Sequence, residues 1–374
     1  MSVRAKLIQL FSRKIKYNSN KDIWRNGGDN HYPERVELVI QNSPTANRAR
    51  NLMSKFISGA GVVNDFDLSE NRFISDVIND IAYDISTQGG FYIHRTVKIE
   101  NGKLVTGDVT VMDYLKMRLG KTDDNGFGGK IWQDDYDEST GFGNTKEANW
   151  YYPFSNNQDV ISAQIANDYI GNSENLEEML GAYRGQIMYV KAFRGKVYAL
   201  SPFDSVYDDC DTDYRISLYS NKTIRSGFLG KKMFLTNGLS PEDEERMEEN
   251  IAGWLGAENS SNVYYANLDN AEDIEKAIHV KNIDTDFNDD MFTNTQQRIK
   301  RNILGAANNA PEALIFSNDG GLFSGSGEQL KQLKKFYSEQ TASERALIER
   351  SLKMLGYEVE IKKLGDDRID ETGL

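Results

Sequence analysis

The sequence predicts an α+β fold, and two patterns in it do so. Between Phe91 and Phe203 the chain reads as short runs of aromatic and β-branched residues parted by glycine and asparagine, the signature of strands and their turns. On either side, in residues 43–89 and again in 286–356, apolar residues recur at the spacing of one buried helical face. Strands grouped apart from helices, rather than alternating with them, point to α+β.

The elements follow in order. Arg4, Lys6, Arg13, Lys14 and Lys16 stand without an acid at the start, interleaved with Leu7, Ile8, Leu10, Phe11 and Ile15. No continuous apolar core of a signal peptide is present, so residues 1–31 are expected to be a solvated or partly ordered arm rather than an anchor. The ordered chain begins at Tyr32. Ser43-Pro44 sets a helix start, serine as cap and proline at a position where its missing N–H costs nothing; Gly59-Ala-Gly61 stops that helix. Ser69 is expected to open the next, burying Phe73, Val77, Ile78, Ile81 and Ile85 until Gly89-Gly90. Strands are expected at 91–97, 109–112, 130–132, 186–190 and 196–200, with a helical insertion near 156–180. Ser201-Pro-Phe begins a further helix striped by Phe203, Tyr207, Cys210, Tyr214 and Leu218 and ended by Gly227. A strand at 231–236, a helix at 241–255 and a strand at 262–266 come next. Ser240 caps that helix, and Glu242, Asp243, Glu244 and Glu245 load its first turn to match the macrodipole.

The last part of the chain reads as two helices around a loop. Asp286 is the expected N-cap of the first, whose face carries Phe287, Met291, Ile299 and Ile303; Pro311 ends it near Asn309. Ser317 to Gly327 holds four glycines in eleven residues, which predicts a hinge or mobile loop. Ser326 and Gln329 form an expected capping box for a second helix. On it Leu330, Leu333, Tyr337, Leu347, Ile348, Leu352 and Leu355 keep helical spacing for about eight turns. One short strand is expected at 357–361.

At 374 residues the chain has room for two or three domains. With 57 acidic and 44 basic residues its net charge is −13, which argues against wrapping DNA, because duplex binding rests on neutralising phosphates. An acidic surface that meets DNA would be slippery. The lone Cys210 has no intrachain disulfide partner and fits a reducing interior. No apolar run approaches the ~20 residues of a membrane span, so no membrane partner is expected.

Ile303-Leu-Gly-Ala-Ala-Asn-Asn-Ala-Pro-Glu-Ala-Leu-Ile315, the glycine-rich loop, and Phe336-Tyr-Ser-Glu-Gln-Thr with Arg345-Ala-Leu-Ile-Glu349 resemble the C-terminal part of tailed-bacteriophage portal proteins. Asn42-Ser-Pro-Thr-Ala and Phe56-Ile-Ser-Gly-Ala-Gly61 resemble the paired helices that open the wing domain of the same family. The resemblance implies a portal-like fold: wing at 32–201, first stem helix at 202–226, strand-helix-strand clip at 227–271 and second stem helix region at 272–310. A tunnel loop at 311–327 and a long helix with a reduced crown and tail at 328–374 would complete it. It further implies a homo-oligomeric ring, dodecameric in the family, at one capsid vertex of a virion assembled in the host bacterial cytoplasm. Double-stranded DNA would pass through this head-tail connector during packaging and ejection. Terminase, the major capsid protein and a tail or head-completion adaptor would be its partners.

The resemblance places Asn318, Gly320, Gly321, Phe323, Ser324, Gly325, Ser326 and Gly327 in the channel. Arg298, Lys300, Arg301, Lys331, Lys334 and Lys335 are the basic residues expected near DNA, and Glu242, Asp243 and Glu245 the expected clip contacts. No catalytic residue, metal or cofactor is expected.

Other chemistry is poorly supported. Gly120-Lys121-Thr122 copies the end of a phosphate-binding loop, but Leu115 stands where the first glycine belongs. Asp209-x-Asp211-x-Asp213 looks like a calcium loop, yet Tyr214 replaces its glycine and Ser220 its bidentate glutamate. His94 has no Cys or His close by in sequence. The rival reading is a metal-dependent phosphohydrolase in which the Asp208 to Asp213 cluster, with Asp284, Asp286 and Asp289, holds magnesium or manganese.

Overall fold

A computed structural model describes residues 15–20, 22–69, 72–121, 130–133, 149–171, 175–225, 232–237, 240–243, 245–247, 249, 263–268, 289–316 and 327–365. The chain divides into two units, Met1–Asp211 with Ile299–Leu374, and Thr212–Arg298.

The larger unit begins with a small antiparallel pair, β1 (Tyr17–Asn18) and β2 (Ile23–Trp24). Helix α1 (Tyr32–Asn42) buries Val36, Val39 and Ile40. Helix α2 (Pro44–Ser58) starts where Ser43-Pro44 predicts, with Ser43 Oγ accepting from the Ala46 amide at 3.1 Å. It stops at Gly59, which has φ 71° and lies so close to Lys362 that an added Cβ would come within 2.2 Å of that carbonyl oxygen.

The expected helix from Ser69 starts later. A hairpin of β3 (Asp67–Ser69) and β4 (Arg72–Phe73) occupies its first residues, and α3 runs over Ile74–Gln88. The Asp76 carboxylate caps the start by accepting from the Phe73 amide at 2.9 Å, so no serine is needed. Phe73 is accordingly off the buried face and 45% exposed, whereas Val77, Ile78, Ile81 and Ile85 are buried as expected.

Six strands of the larger unit form one sheet. β5 (Gly90–Glu100), β6 (Lys103–Val111), β7 (Met117–Leu119), β8 (Ile131–Gln133) and β9 (Asn149–Pro153) are followed by helices α4 (Gln158–Asp168) and α5 (Leu176–Leu180), then β10 (Gln186–Lys191). Their order is β6-β5-β10-β9-β8-β7, with β9 and β10 parallel and every other pair antiparallel. A parallel pair needs a crossover connection, which explains the helical insertion between β9 and β10. Tyr92, Tyr114, Met117, Ile131 and Ile187 form one core cluster of this layer; Val97, Leu104, Ile161 and Ile165 form another beneath α4.

Residues 196–200, expected as a strand, form a loop instead. Tyr198 is buried because its hydroxyl donates to the Trp24 carbonyl at 2.6 Å and accepts from the Leu119 amide at 2.8 Å, contacts that a sheet register would not allow. The Ser201 cap is as predicted, accepting from the Phe203 amide at 3.2 Å, but it opens a 3₁₀ turn (Pro202–Val206) before α6 (Tyr207–Arg225). Phe203 and Cys210 of the expected stripe are buried, while Leu218 is 38% exposed. Gly227 lies outside the described residues.

In the smaller unit β11 (Lys232–Asn237) and β12 (Val263–Leu268) pair in parallel. Helical residues at 241–243, 245–247 and 249 stand in their connection, as a parallel pair requires.

Among the described residues four helices follow: α7 (Asp289–Ala306), α8 (Glu312–Ile315), α9 (Gly327–Gln340) and α10 (Ala342–Met354). Asp286 and Phe287 lie outside the described residues; Ile299 and Ile303 are buried as expected. The single long helix expected after the loop is broken at Thr341, and the strand expected at 357–361 is reduced to an isolated bridge between Val62 and Ile361.

Candidate functional site

The region joining α7 to α10 carries most of the expected site. Helix α7 ends at Ala306 because Asn308 and Asn309 adopt left-handed φ values of 54° and 56°, which asparagine tolerates well. The Ala310 amide then donates back to the Leu304 carbonyl at 2.9 Å, and Pro311 starts α8. The Tyr337 hydroxyl donates to the Ala307 carbonyl at 2.8 Å, tying the end of α7 to α9. Burial pushes the Tyr337 hydroxyl up from its usual range, which keeps it a donor.

The break at Thr341 has a charged cause. Thr341 lies in the bridge region at φ −102° and ψ 11°. Arg345 Nη1 donates to Phe56 O and to Thr341 Oγ1, both at 2.7 Å, and Nη2 donates to Ser338 O. Phe56 and Ser338 lie in the last turns of α2 and α9, where helix carbonyls run out of intrahelical amide partners. One buried guanidinium therefore caps two helix C-termini, the ends that favour a cation. Burial pushes it down from its ordinary value, with Glu344 and Glu349 opposing.

Of the expected channel residues, Asn318, Gly320, Gly321, Phe323, Ser324, Gly325 and Ser326 lie outside the described residues, and Gly327 is the first residue of α9. Arg298, Arg301, Lys331 and Lys335 are exposed, and Lys334 is half-buried. Lys335 joins Arg345 and Lys363 in lining a cavity of about 230 Å³ with Ser338, Glu339 and Leu364. Lys300 is half-buried. Its ammonium forms an ion pair with Glu312 and sits 3.9 Å from the centre of the Phe316 ring, over which the Arg48 guanidinium also lies at 5.3 Å.

Glu242, Asp243 and Glu245 are exposed in the smaller unit. Ser240 caps their helix as expected: its Oγ accepts from the Asp243 amide at 3.3 Å and donates to the Asp243 carboxylate at 2.8 Å. In the Asp208 to Asp213 cluster, Asp209 accepts from Asn302 Nδ2 at 2.9 Å. Asp284 and Asp286 lie outside the described residues. Among the described residues no three Asp, Glu, His or Cys side chains are grouped so as to hold a metal ion. His94 is half-buried, and its Nε2 lies 2.9 Å from the Arg184 carbonyl oxygen; partial burial pushes its pKa down. No described helix is long and apolar enough to cross a membrane.

Sequence reasoning missed Arg48, Phe316 and Arg345. An arginine on an apolar helical face, four residues after a threonine, was the available signal for Arg345; the partners of Phe316 are too distant in sequence to leave one.

No protein-family model and no curated protein matches the chain. Solved structures do match. A chain in the virion of the native gene transfer agent (GTA) particle aligns with TM-score 0.53 and 13% identity, over 92% of this chain and 88% of that one. The chain folds like a protein of that particle. A chain in the neck of the empty GTA particle, computed with C6 symmetry, gives 0.51 and 13% over 90% and 85%. Another in the neck of the native particle, computed with C12 symmetry, gives 0.51 and 14% over 89% and 84%. At such identities the likeness is one of fold, and it spans nearly the whole chain. It agrees with the α+β class and with the resemblance to portal proteins.

Proposed function

We propose that this chain is the protomer of a portal, a head-tail connector ring at one vertex of a virion capsid. The observation that carries the proposal is the fold shared, over about nine-tenths of the chain, with chains of a particle neck computed with C12 symmetry. In this reading 32–201 is the wing, 202–226 and 272–310 the stem, 227–271 the clip, 311–327 the tunnel loop, and 328–374 the closing helices with a reduced crown. Subunits join through a head-to-tail interface that closes on itself. Twelve copies at −13 give the ring a charge of about −156, a field that keeps DNA from adhering to the wall.

The protomer hydrolyses nothing; an ATP-driven terminase supplies the work. DNA passes Asn318, Phe323, Ser324 and Ser326, while exposed Arg301, Lys331 and Lys335 offer short-range, sequence-independent contacts. Glu242, Asp243 and Glu245 face the terminase or a tail adaptor, and the wing meets the major capsid protein. Assembly takes place in the host bacterial cytoplasm.

Negative-stain microscopy of the purified protein tests the first step: rings are expected, and a monomer under every assembly condition would sink the proposal. Replacing Gly320 and Gly321 by proline is then expected to impair DNA packaging with ring assembly intact. Normal packaging by that variant removes the loop from the mechanism.

A further inference from the structure

We infer that Phe316 is a fixed post at the last described position before residue 317, and that Lys300 is a positioning residue for this post rather than a DNA contact. Three elements converge on one ring. Arg48 comes from α2, Lys300 from α7, and Phe316 directly follows α8. Lys300 Nζ lies 3.9 Å and Arg48 Cζ 5.3 Å from the ring centre, both within the ~6 Å at which a cation is attracted to an aromatic face.

Glu312 completes the arrangement from both of its ends. Its carboxylate pairs with the Lys300 ammonium, and its backbone carbonyl accepts from the Phe316 amide at 2.9 Å. The same residue thus orients the cation and the ring that the cation grips. Pro311 sets the start of this turn, and the Leu314 amide donates to its carbonyl at 3.0 Å, so the four-residue helix is tied near both of its ends.

Phe316 is only half-buried, so apolar burial by itself does not hold it. An exposed ion pair contributes little to stability, and a four-residue helix has little of its own. The ring and its cations therefore add to the packing of this turn on α2 and α9 in keeping it in place. An ammonium committed to Glu312 and Phe316 is poorly placed to follow a passing phosphate. The functional consequence rests on the portal reading: the post fixes where the tunnel loop is rooted relative to α2 and α7.

Hydrogen-deuterium exchange on the full-length protein tests the clamp without reference to function. The Leu314 and Phe316 amides are expected to exchange about tenfold faster in F316L and in K300M, and at the wild-type rate in F316Y, which keeps an aromatic face. Wild-type exchange in both F316L and K300M would overturn the inference. The second arm is DNA packaging by assembled particles: F316L is expected to lower it with ring yield unchanged, and F316Y to restore it. Faster exchange in F316L with normal packaging would refute the positioning role. Failure of the wild-type protein to form rings would count against the portal reading alone, and the exchange result would still decide the clamp.

Discussion

Replacing Arg345 by methionine is the sharpest test of how the C-terminal helices are held. Methionine keeps most of the volume and removes the donors, so Phe56 O and Ser338 O lose a charged partner inside the protein. Each buried carbonyl left short of a donor costs about 1–3 kcal/mol. Relief from burying the guanidinium returns part of this. The net loss is expected to be about 3 kcal/mol, read as a fall of about 4 °C in the melting temperature of the full-length protein. Because a guanidinium stays charged throughout the neutral range, the loss is expected to be the same at pH 6 and pH 9. R345K is expected to recover only part of it, since an ammonium is a point donor and cannot span the acceptors as a fork does. Calorimetry or urea unfolding gives the number. A loss below about 1 kcal/mol in R345M would refute the claim that this side chain caps two helices.

Two further substitutions probe the sheet layer. Gly89 has φ 80°, and an added Cβ would come within 1.9 Å of Leu200 O, so G89A is expected to lose about 3 kcal/mol in urea unfolding. G61A is its control: φ is 89° but nothing lies within 4 Å, and a loss of about 1 kcal/mol is expected. His94 gives a pH dependence. Burial lowers its pKa in the folded state, so as pH falls the unfolded chain takes up the proton first. Its contribution is therefore complete above the ordinary imidazole value of 6.5 and is lost as pH drops below that value towards the folded pKa. Melting temperatures at pH 7.5 and 5.5 are expected to fall less in H94Q than in wild type.

The parts of the fold that were legible in the sequence are those decided by neighbours in the chain. Ser43-Pro44 and Gly59 bound α2, Gly89 ends α3, and Ser201 and Ser240 cap as predicted, because each acts on amides two or three residues away. What was missed is set at long range. Residues 196–200 have strand composition, yet the Tyr198 hydroxyl is taken by Trp24 and Leu119. Helical spacing runs unbroken through Thr341, and only the approach of Phe56 O shows why an arginine belongs there. For the candidate site, α9 starts at Gly327, the residue after the expected Ser326 cap. The charge of Lys300 was readable, but Glu312 and Arg48 as its neighbours were not.

The pairing of Val62 with Ile361 sets an order of events at birth. The Lys362 amide closes on Gly61 O, and Arg345 caps a carbonyl 289 positions upstream. During synthesis at ~5–20 residues per second, α2 must wait about 15–60 s for the side chain that completes it. The insert Thr212–Arg298 emerges whole in that interval, while the body around it is still short of its final strand of contacts. A nascent chain therefore remains unfinished until residues 345–362 are made, and termination before them would leave the early helices without their closing partner.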